Sequence, residues 1–139
     1  MFKKILVPYD GSHHSERAMD TAINMALSDK AALHVLYAYD KLPDYLGEPN
    51  FQEVLDRVTA AAQELMESAV QHAHNHGVAA TSSVLEGPAA EAILRVAEAE
   101  GFDLIIMGSR GLGHLKGLLM GSVSERVMHQ AKIPVMIMR

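Results

Sequence analysis

The residues best suited to chemistry lie in a glycine-rich segment over positions 108–125. Five glycines fall between positions 108 and 121, and glycine lets a backbone approach a ligand closely. Ser122 and Glu125 have the spacing of a capping box, which predicts that a helix begins at Ser122. The first amide groups of that helix, near Val123 and Ser124, would lack partners within the helix and would attract a phosphate group. Local positive charge in an otherwise acidic chain would come from Arg110, His114 and Lys116.

This segment differs from the best-known phosphate-binding and nucleophile motifs. No window matches the Walker A pattern, and the dinucleotide fingerprint that would start at Gly111 fails because its third glycine is replaced by Lys116. A nucleophile elbow is absent because Ser109 directly follows a glycine. The spacing that does occur is Gly-x2-Gly-x9-Gly-Ser, formed by Gly108, Gly111, Gly121 and Ser122.

Strand-like and helix-like patterns alternate along the chain and would position this segment. Short apolar runs, such as residues 5–7 and 104–107, alternate with stretches whose apolar residues recur every three or four positions. Because the strands are apolar throughout, helices should cover both faces of a parallel sheet. We therefore expect an α/β fold: a single doubly wound, open parallel five-stranded sheet flanked by four helices. Its strand order should be 3-2-1-4-5, or the related 2-1-3-4-5.

The predicted topology indicates a ligand site at the carboxyl ends of the strands. Ligands of such sheets bind outside the carboxyl ends of the strands, where the chain direction reverses. In the 3-2-1-4-5 order this reversal lies between strands 1 and 4, which end near Asp10 and Gly108. A plainer interpretation also fits, because Asp10-Gly11-Ser12 could be a turn followed by a helix N-cap.

Composition limits the classes of protein and partner. The chain has 139 residues, 49% of them hydrophobic and 21% charged, and we expect one domain over residues 1–139. The net charge of −5 disfavours nucleic acid and anionic lipid as partners. The chain lacks cysteine, which removes disulfides and thiolate chemistry. Neither a signal-peptide core nor an apolar run of roughly 20 residues occurs, so we expect a cytoplasmic protein with no membrane insertion.

The glycine spacing and both ends of the chain resemble the ATP-binding branch of the universal stress protein (UspA) family. Residues 4–12, the tripeptide Leu33-His34-Val35 and residues 134–137 look like that family as well. The resemblance implies ATP as ligand, with Asp10 accepting a hydrogen bond from the ribose and Mg²⁺ carried by the phosphates. It places Pro8 and Val35 at the adenine and ribose end and Met107 beside the base. Gly108, Arg110, Gly111 and Gly121 would wrap the ribose and phosphates, with Ser122, Val123 and Ser124 donating to the phosphate tail.

The resemblance implies a nucleotide-dependent binding module that regulates a stress response without dedicated catalysis. A slow ATP hydrolase or phosphotransferase is the alternative, and His114 is the evident residue for orienting an attacking oxygen. A nucleotide-free scaffold is a third interpretation. The resemblance also implies a homodimer through the apolar edge strand Val135–Met138, and a further protein partner remains unidentified.

Histidines and one loop leave further alternatives open. His72 and His76 have the spacing of a metal pair, but histidines near a helix C-terminus are also favoured by the helix dipole. His13 and His14 could approach a phosphate tail or could be surface residues of a helix entry. The loop over residues 40–50 could fold over a nucleotide or could be a plain connection.

Overall fold

Strands and helices alternate along the computed structural model, which describes residues 1–110 and 120–139. The predicted five strands and four helices are present within these ranges, and a short 3₁₀ turn lies in the predicted loop over residues 40–50. None of these helices is both long enough and apolar enough to cross a membrane. In chain order the elements are β1 Lys4–Pro8, α1 His13–Asp29, β2 Ala32–Tyr39, the 3₁₀ turn Asp44–Leu46, α2 Asn50–Asn75, β3 Ala80–Glu86, α3 Ala89–Ala99, β4 Leu104–Gly108, α4 Ser122–Gln130 and β5 Val135–Met138.

The five strands form one parallel sheet in the order β3-β2-β1-β4-β5. This order confirms the predicted 3-2-1-4-5 topology and excludes the related 2-1-3-4-5. The central strand is β1, in which Leu6 lies opposite His34 of β2 on one side and Ile105 of β4 on the other. The chain direction therefore reverses between β1 and β4, as expected from the sequence.

Helices cover both faces of the sheet. On one face α1 and α2 pack around Val7, Met19 and Met66, which are at most 2% exposed. On the other face α3 and α4 contribute Ile93 and Val127 to a second buried cluster. All residues of β4 are buried, and burial of each large apolar side chain stabilises the fold by about 1.5–3 kcal/mol. The central strands thus form a firm frame for the loops at their carboxyl ends.

Glycines in the left-handed region include one before α1 and one after α2. Gly11 precedes α1 with φ +83°, and Gly77 follows the end of α2 with φ +82°, where a side chain would be strained. α2 ends at Asn75 with His76 as its C-cap, and Gly77 follows in the left-handed conformation that commonly terminates a helix. Gly11 allows β1 to turn directly into α1 beside the reversal point.

Candidate functional site

The carboxyl ends of β1 and β4 lie side by side at the reversal point. β1 ends at Pro8 and is followed by the half-buried Asp10, whereas β4 ends at Gly108. The helix α4 begins at Ser122, and the amide of Gly121 just before it donates to the carbonyl of Ser109 at 2.6 Å. The structure thus brings Asp10, the end of β4 and the start of α4 to the same edge of the sheet.

Asp10 and Ser12 form a turn and a helix cap. The Asp10 Oδ1 atom accepts the amide hydrogen of Ser12 at 3.0 Å. The Ser12 Oγ atom accepts the amide hydrogen of Ser15 at 3.3 Å and so caps α1. The turn followed by a helix N-cap, which the sequence allowed for Asp10-Gly11-Ser12, is therefore confirmed. These bonds also hold the Asp10 carboxylate at the end of the central strand.

The start of α4 differs from the predicted capping box. Gly121 is the N-cap, with φ −76° and ψ 162°, and no side chain of residues 1–110 or 120–139 caps this helix. The prediction that Ser122 pairs with Glu125 in a capping box is wrong, because Ser122 is already the first helical residue and cannot occupy the extended cap position. Since glycine has no side-chain acceptor, the amides of the first turn lack the partner that Ser12 provides in α1.

Ser124 fixes the first turn of α4 against the end of β4. Its side chain is 2% exposed, and its Oγ donates to the carbonyl of Ser109 at 2.7 Å and lies 3.2 Å from that of Gly121. The hydroxyl is therefore engaged within the protein. Ser122, by contrast, is exposed and Val123 is half-buried.

The two described glycines of the motif occupy different surroundings. A Cβ atom on Gly108 would lie 2.6 Å from the Cβ and 2.7 Å from the carbonyl carbon of His14, so α1 requires a glycine here. A Cβ atom on Gly121 would meet the Ser109 oxygen at 3.4 Å and the Arg110 Cα at 3.5 Å, which are ordinary contacts. Gly108 thus has a packing role, whereas packing explains little about Gly121.

Arg110 carries an unsatisfied polar atom beside this site. Its side chain is half-buried, and its Nε is buried without a hydrogen-bond partner in the part of the chain that the structure describes. A buried guanidinium nitrogen without a partner is costly, so an anionic ligand here would relieve that cost. The predicted binding residue Gly111, with His114 and Lys116, lies outside the described residues.

The residues predicted for the adenine end lie deeper in the fold. Val35 is 0% exposed and Met107 is 5% exposed, whereas Pro8 is half-buried. The side chain of Val35 packs in the core between the sheet and α1 and α2. The structure therefore brings Pro8 and Asp10 to the edge of the sheet and leaves the Val35 side chain enclosed.

A contact that the sequence did not predict joins α1 to the end of β4. The Nδ1 atom of His14 lies 2.9 Å from the Oγ of Ser109, which is 1% exposed. The adjacent His13 is exposed and lies 3.8 Å from Glu16. The two histidines thus differ, and the surface interpretation holds for His13 alone. The glycine at position 108 is the sequence signal for this close approach, but it does not identify the partner.

A separate cavity of about 340 Å³ opens between α1 and α2. Burial, together with the nearby carboxylates of Glu16, Asp10 and Asp20, raises the pKa of the Tyr9 hydroxyl at its rim. His72 lines the same cavity, with its Nε2 atom 3.2 Å from Asp20. This cavity is acidic and is unsuited to a phosphate group.

The histidines at the end of α2 serve the helix terminus. The Nδ1 atom of His76 donates to the carbonyl of His72 at 2.9 Å, and His74 lies 3.1 Å from the carbonyl of Ala80. Within residues 1–110 and 120–139, no cluster of three or more His, Cys, Asp or Glu side chains could hold a metal ion. The contact of His76 is the one expected near a helix C-terminus, where last-turn carbonyls seek donors, whereas His74 contacts the first residue of β3.

Comparison with known proteins agrees with the fold and with the family resemblance. The model of the Universal stress protein family matches residues 1–139. The universal stress protein in the QAH/OAS sulfhydrylase 3′ region of Thermus aquaticus is 44% identical over 140 residues, and the match covers 100% of both chains.

Solved structures give the same result. The structure of MJ0577, a protein of Methanocaldococcus jannaschii, superposes with a TM-score of 0.90 at 31% identity and covers 99% of this chain and 96% of that one. A universal stress protein solved in complex with cAMP superposes with a TM-score of 0.76 at 25% identity, covering 99% and 97%. From these matches and the strand order, the chain belongs to the universal stress protein family.

Proposed function

We propose that this protein is an ATP-binding regulatory module of the stress response, with the nucleotide held between the ends of β1 and β4. The observation that carries the proposal is the start of α4. A glycine N-cap offers its first amides no side-chain acceptor of its own, and none comes from the other described residues, at the edge of the sheet where the chain direction reverses. Free amides and the positive end of the helix dipole favour a phosphate group.

The remaining residues fit the two ends of a nucleotide. In this proposal the amides of Ser122, Val123 and Ser124 donate to the phosphate tail, and the buried Nε of Arg110 gains the acceptor that it lacks. Asp10, held by its bond to Ser12, accepts from a ribose hydroxyl. Mg²⁺ would bind the phosphates, since the described residues offer no cage for a metal ion.

An adenine nucleotide is the ligand class supported by the family. One universal stress protein of the same fold was solved with cAMP. For the present chain we propose ATP, because its phosphate tail could reach both the first amides of α4 and Arg110. In this proposal the residues at the ends of β1 and β4 bind and orient the ligand. Hydrolysis or phosphoryl transfer is the alternative, and His114, the residue that could orient an attacking oxygen, lies outside the described residues.

The proposal includes a homodimer formed through β5. This strand pairs with β4 along one edge, and its apolar residues Val135–Met138 are each half-buried. Met136 and Met138 pack toward one face of the sheet, whereas Val135 and Ile137 pack toward the other. An apolar strand with an open edge favours pairing with a second copy of itself.

Calorimetric titration tests the ligand. Wild-type protein should bind ATP in the presence of Mg²⁺ and should bind AMP and cAMP more weakly, because both lack the polyphosphate tail. Gly121→Val should reduce ATP affinity at least tenfold by obstructing approach to the first amides of α4, with an unchanged circular dichroism spectrum. Equal affinity for ATP and AMP, or unchanged ATP binding by the variant, would remove α4 from the site.

A further inference from the structure

We propose that His14 is a positioning residue for the start of α4, acting through the hydroxyl and carbonyl groups of Ser109. The proposal rests on the proposed nucleotide function and names the residues that set its preference for a long phosphate tail. It concerns a contact between α1 and β4 rather than a residue of the glycine motif.

Ser109 connects three elements at the end of β4. Its amide donates to the carbonyl of Met138 in β5 at 2.6 Å. Its carbonyl accepts from the amide of Gly121 at 2.6 Å and from the Oγ of Ser124 at 2.7 Å, which fixes the first turn of α4. Its own hydroxyl lies 2.9 Å from the Nδ1 atom of His14 in α1. Any displacement of Ser109 therefore moves the amides proposed to hold phosphate.

The hydrogen-bond requirement of Ser109 sets the form of His14. The Ser109 side chain is 1% exposed, and among the described residues its hydroxyl contacts His14. A buried hydroxyl needs an acceptor for its proton, so Nδ1 takes that role and the ring proton resides on Nε2. His14 is in turn held in place because its Cβ and carbonyl carbon pack on Gly108. The imidazole is a fixed acceptor on a rigid backbone.

This arrangement lets His14 influence binding of the phosphate tail without influencing binding of the ribose. Without the acceptor the buried Ser109 hydroxyl loses its partner, and a shift of Ser109 that recovers one would carry its carbonyl along. The affected groups, Gly121 and Ser124, lie at the phosphate end. Asp10 is held separately by Ser12, so contacts at the ribose end should be preserved. The consequence is a change in the ratio of ATP to AMP affinity.

The test compares His14 with its neighbour. His14→Leu removes the acceptor, His14→Asn retains one near the Nδ1 position, and His13→Leu makes the same change at an exposed residue. We expect His14→Leu to weaken ATP binding about threefold to tenfold and AMP binding less than twofold. His14→Asn should restore the wild-type ratio, and His13→Leu should leave it unchanged.

A second measurement reads the contact without nucleotide. Two-dimensional ¹⁵N–¹H spectra of the histidine rings should identify the Nε2–H form for His14 in the wild type and a mixture of forms in Ser109→Ala. If wild-type protein binds ATP but His14→Leu keeps the wild-type ATP-to-AMP ratio, the positioning role is refuted and the proposed function stands. An Nδ1–H form in the wild type refutes it as well. If wild-type protein binds no nucleotide, the proposed function and this inference both fail.

Discussion

Replacement of Gly108 by alanine should destabilise the protein through a clash between β4 and α1. The new Cβ would lie 2.6 Å from the Cβ, 2.7 Å from the carbonyl carbon and 3.0 Å from the carbonyl oxygen of His14. No side-chain rotation relieves these contacts, because they involve the backbone and Cβ of α1. Overpacking of this kind costs about 1–3 kcal/mol, and the three short contacts indicate the upper end. With an unfolding entropy of about 2.1 cal/mol/K per residue, Tm should fall by about 10 °C.

Gly121→Ala is the matched control for this substitution. The same added methyl group would meet its nearest neighbours at 3.4 and 3.5 Å, and the backbone of Gly121 suits any residue. We expect its Tm to stay within about 3 °C of wild type, since loss of a glycine cap costs at most about 1 kcal/mol. Both variants are measured without nucleotide, by thermal unfolding followed with circular dichroism. A Gly108→Ala variant as stable as Gly121→Ala would refute the packing role of Gly108.

Three further predictions concern other parts of the molecule. Burial lowers the pKa of His34; Glu100 opposes this shift and Lys4 adds to it. The His34 side chain is therefore protonated at a higher pH in the unfolded chain than in the folded protein. The free energy of unfolding should therefore fall as pH drops through about 6.5, and urea titrations of His34→Gln should have a shallower pH dependence. Light scattering should give about twice the chain mass of 15.1 kDa for the wild type. Ile137→Lys should be monomeric, whereas Ala79→Lys, beside the edge strand β3 on the other side of the sheet, should remain dimeric. A monomeric wild type would contradict pairing through β5. Asp10→Asn keeps the oxygen that accepts from Ser12 but loses the charge, so calorimetry should give at least about tenfold weaker ATP binding with unchanged Tm.

The fold could be predicted because local patterns and topology rules point to one answer. Continuous apolar strands such as β4 require cover on both faces, and right-handed crossovers then leave few strand orders. The choice between the two related orders needed the structure, since β2 neighbours β1 in both and the orders differ only in whether β3 lies outside β2 or between β1 and β4.

The site was predicted in outline and not in detail. Asp10 and Gly108 were expected at neighbouring strand ends and are found there. The capping box failed because sequence spacing cannot tell which residue adopts the extended cap conformation, and here the helix begins one residue after Gly121. The pairing of His14 with Ser109 spans 95 positions, and only the tertiary approach of α1 to β4 creates it.

The most direct test of the account is an ATP titration of ¹⁵N-labelled protein with Mg²⁺, followed by amide NMR spectra. We expect saturable shifts in the amides of Ser122, Val123 and Ser124 and in that of Asp10. The amides of Lys4 and Asp103, which lie at the amino ends of β1 and β4, should be unaffected. If ATP at millimolar concentration leaves the α4 amides unchanged, or shifts only residues remote from the ends of β1 and β4, the central claim is contradicted.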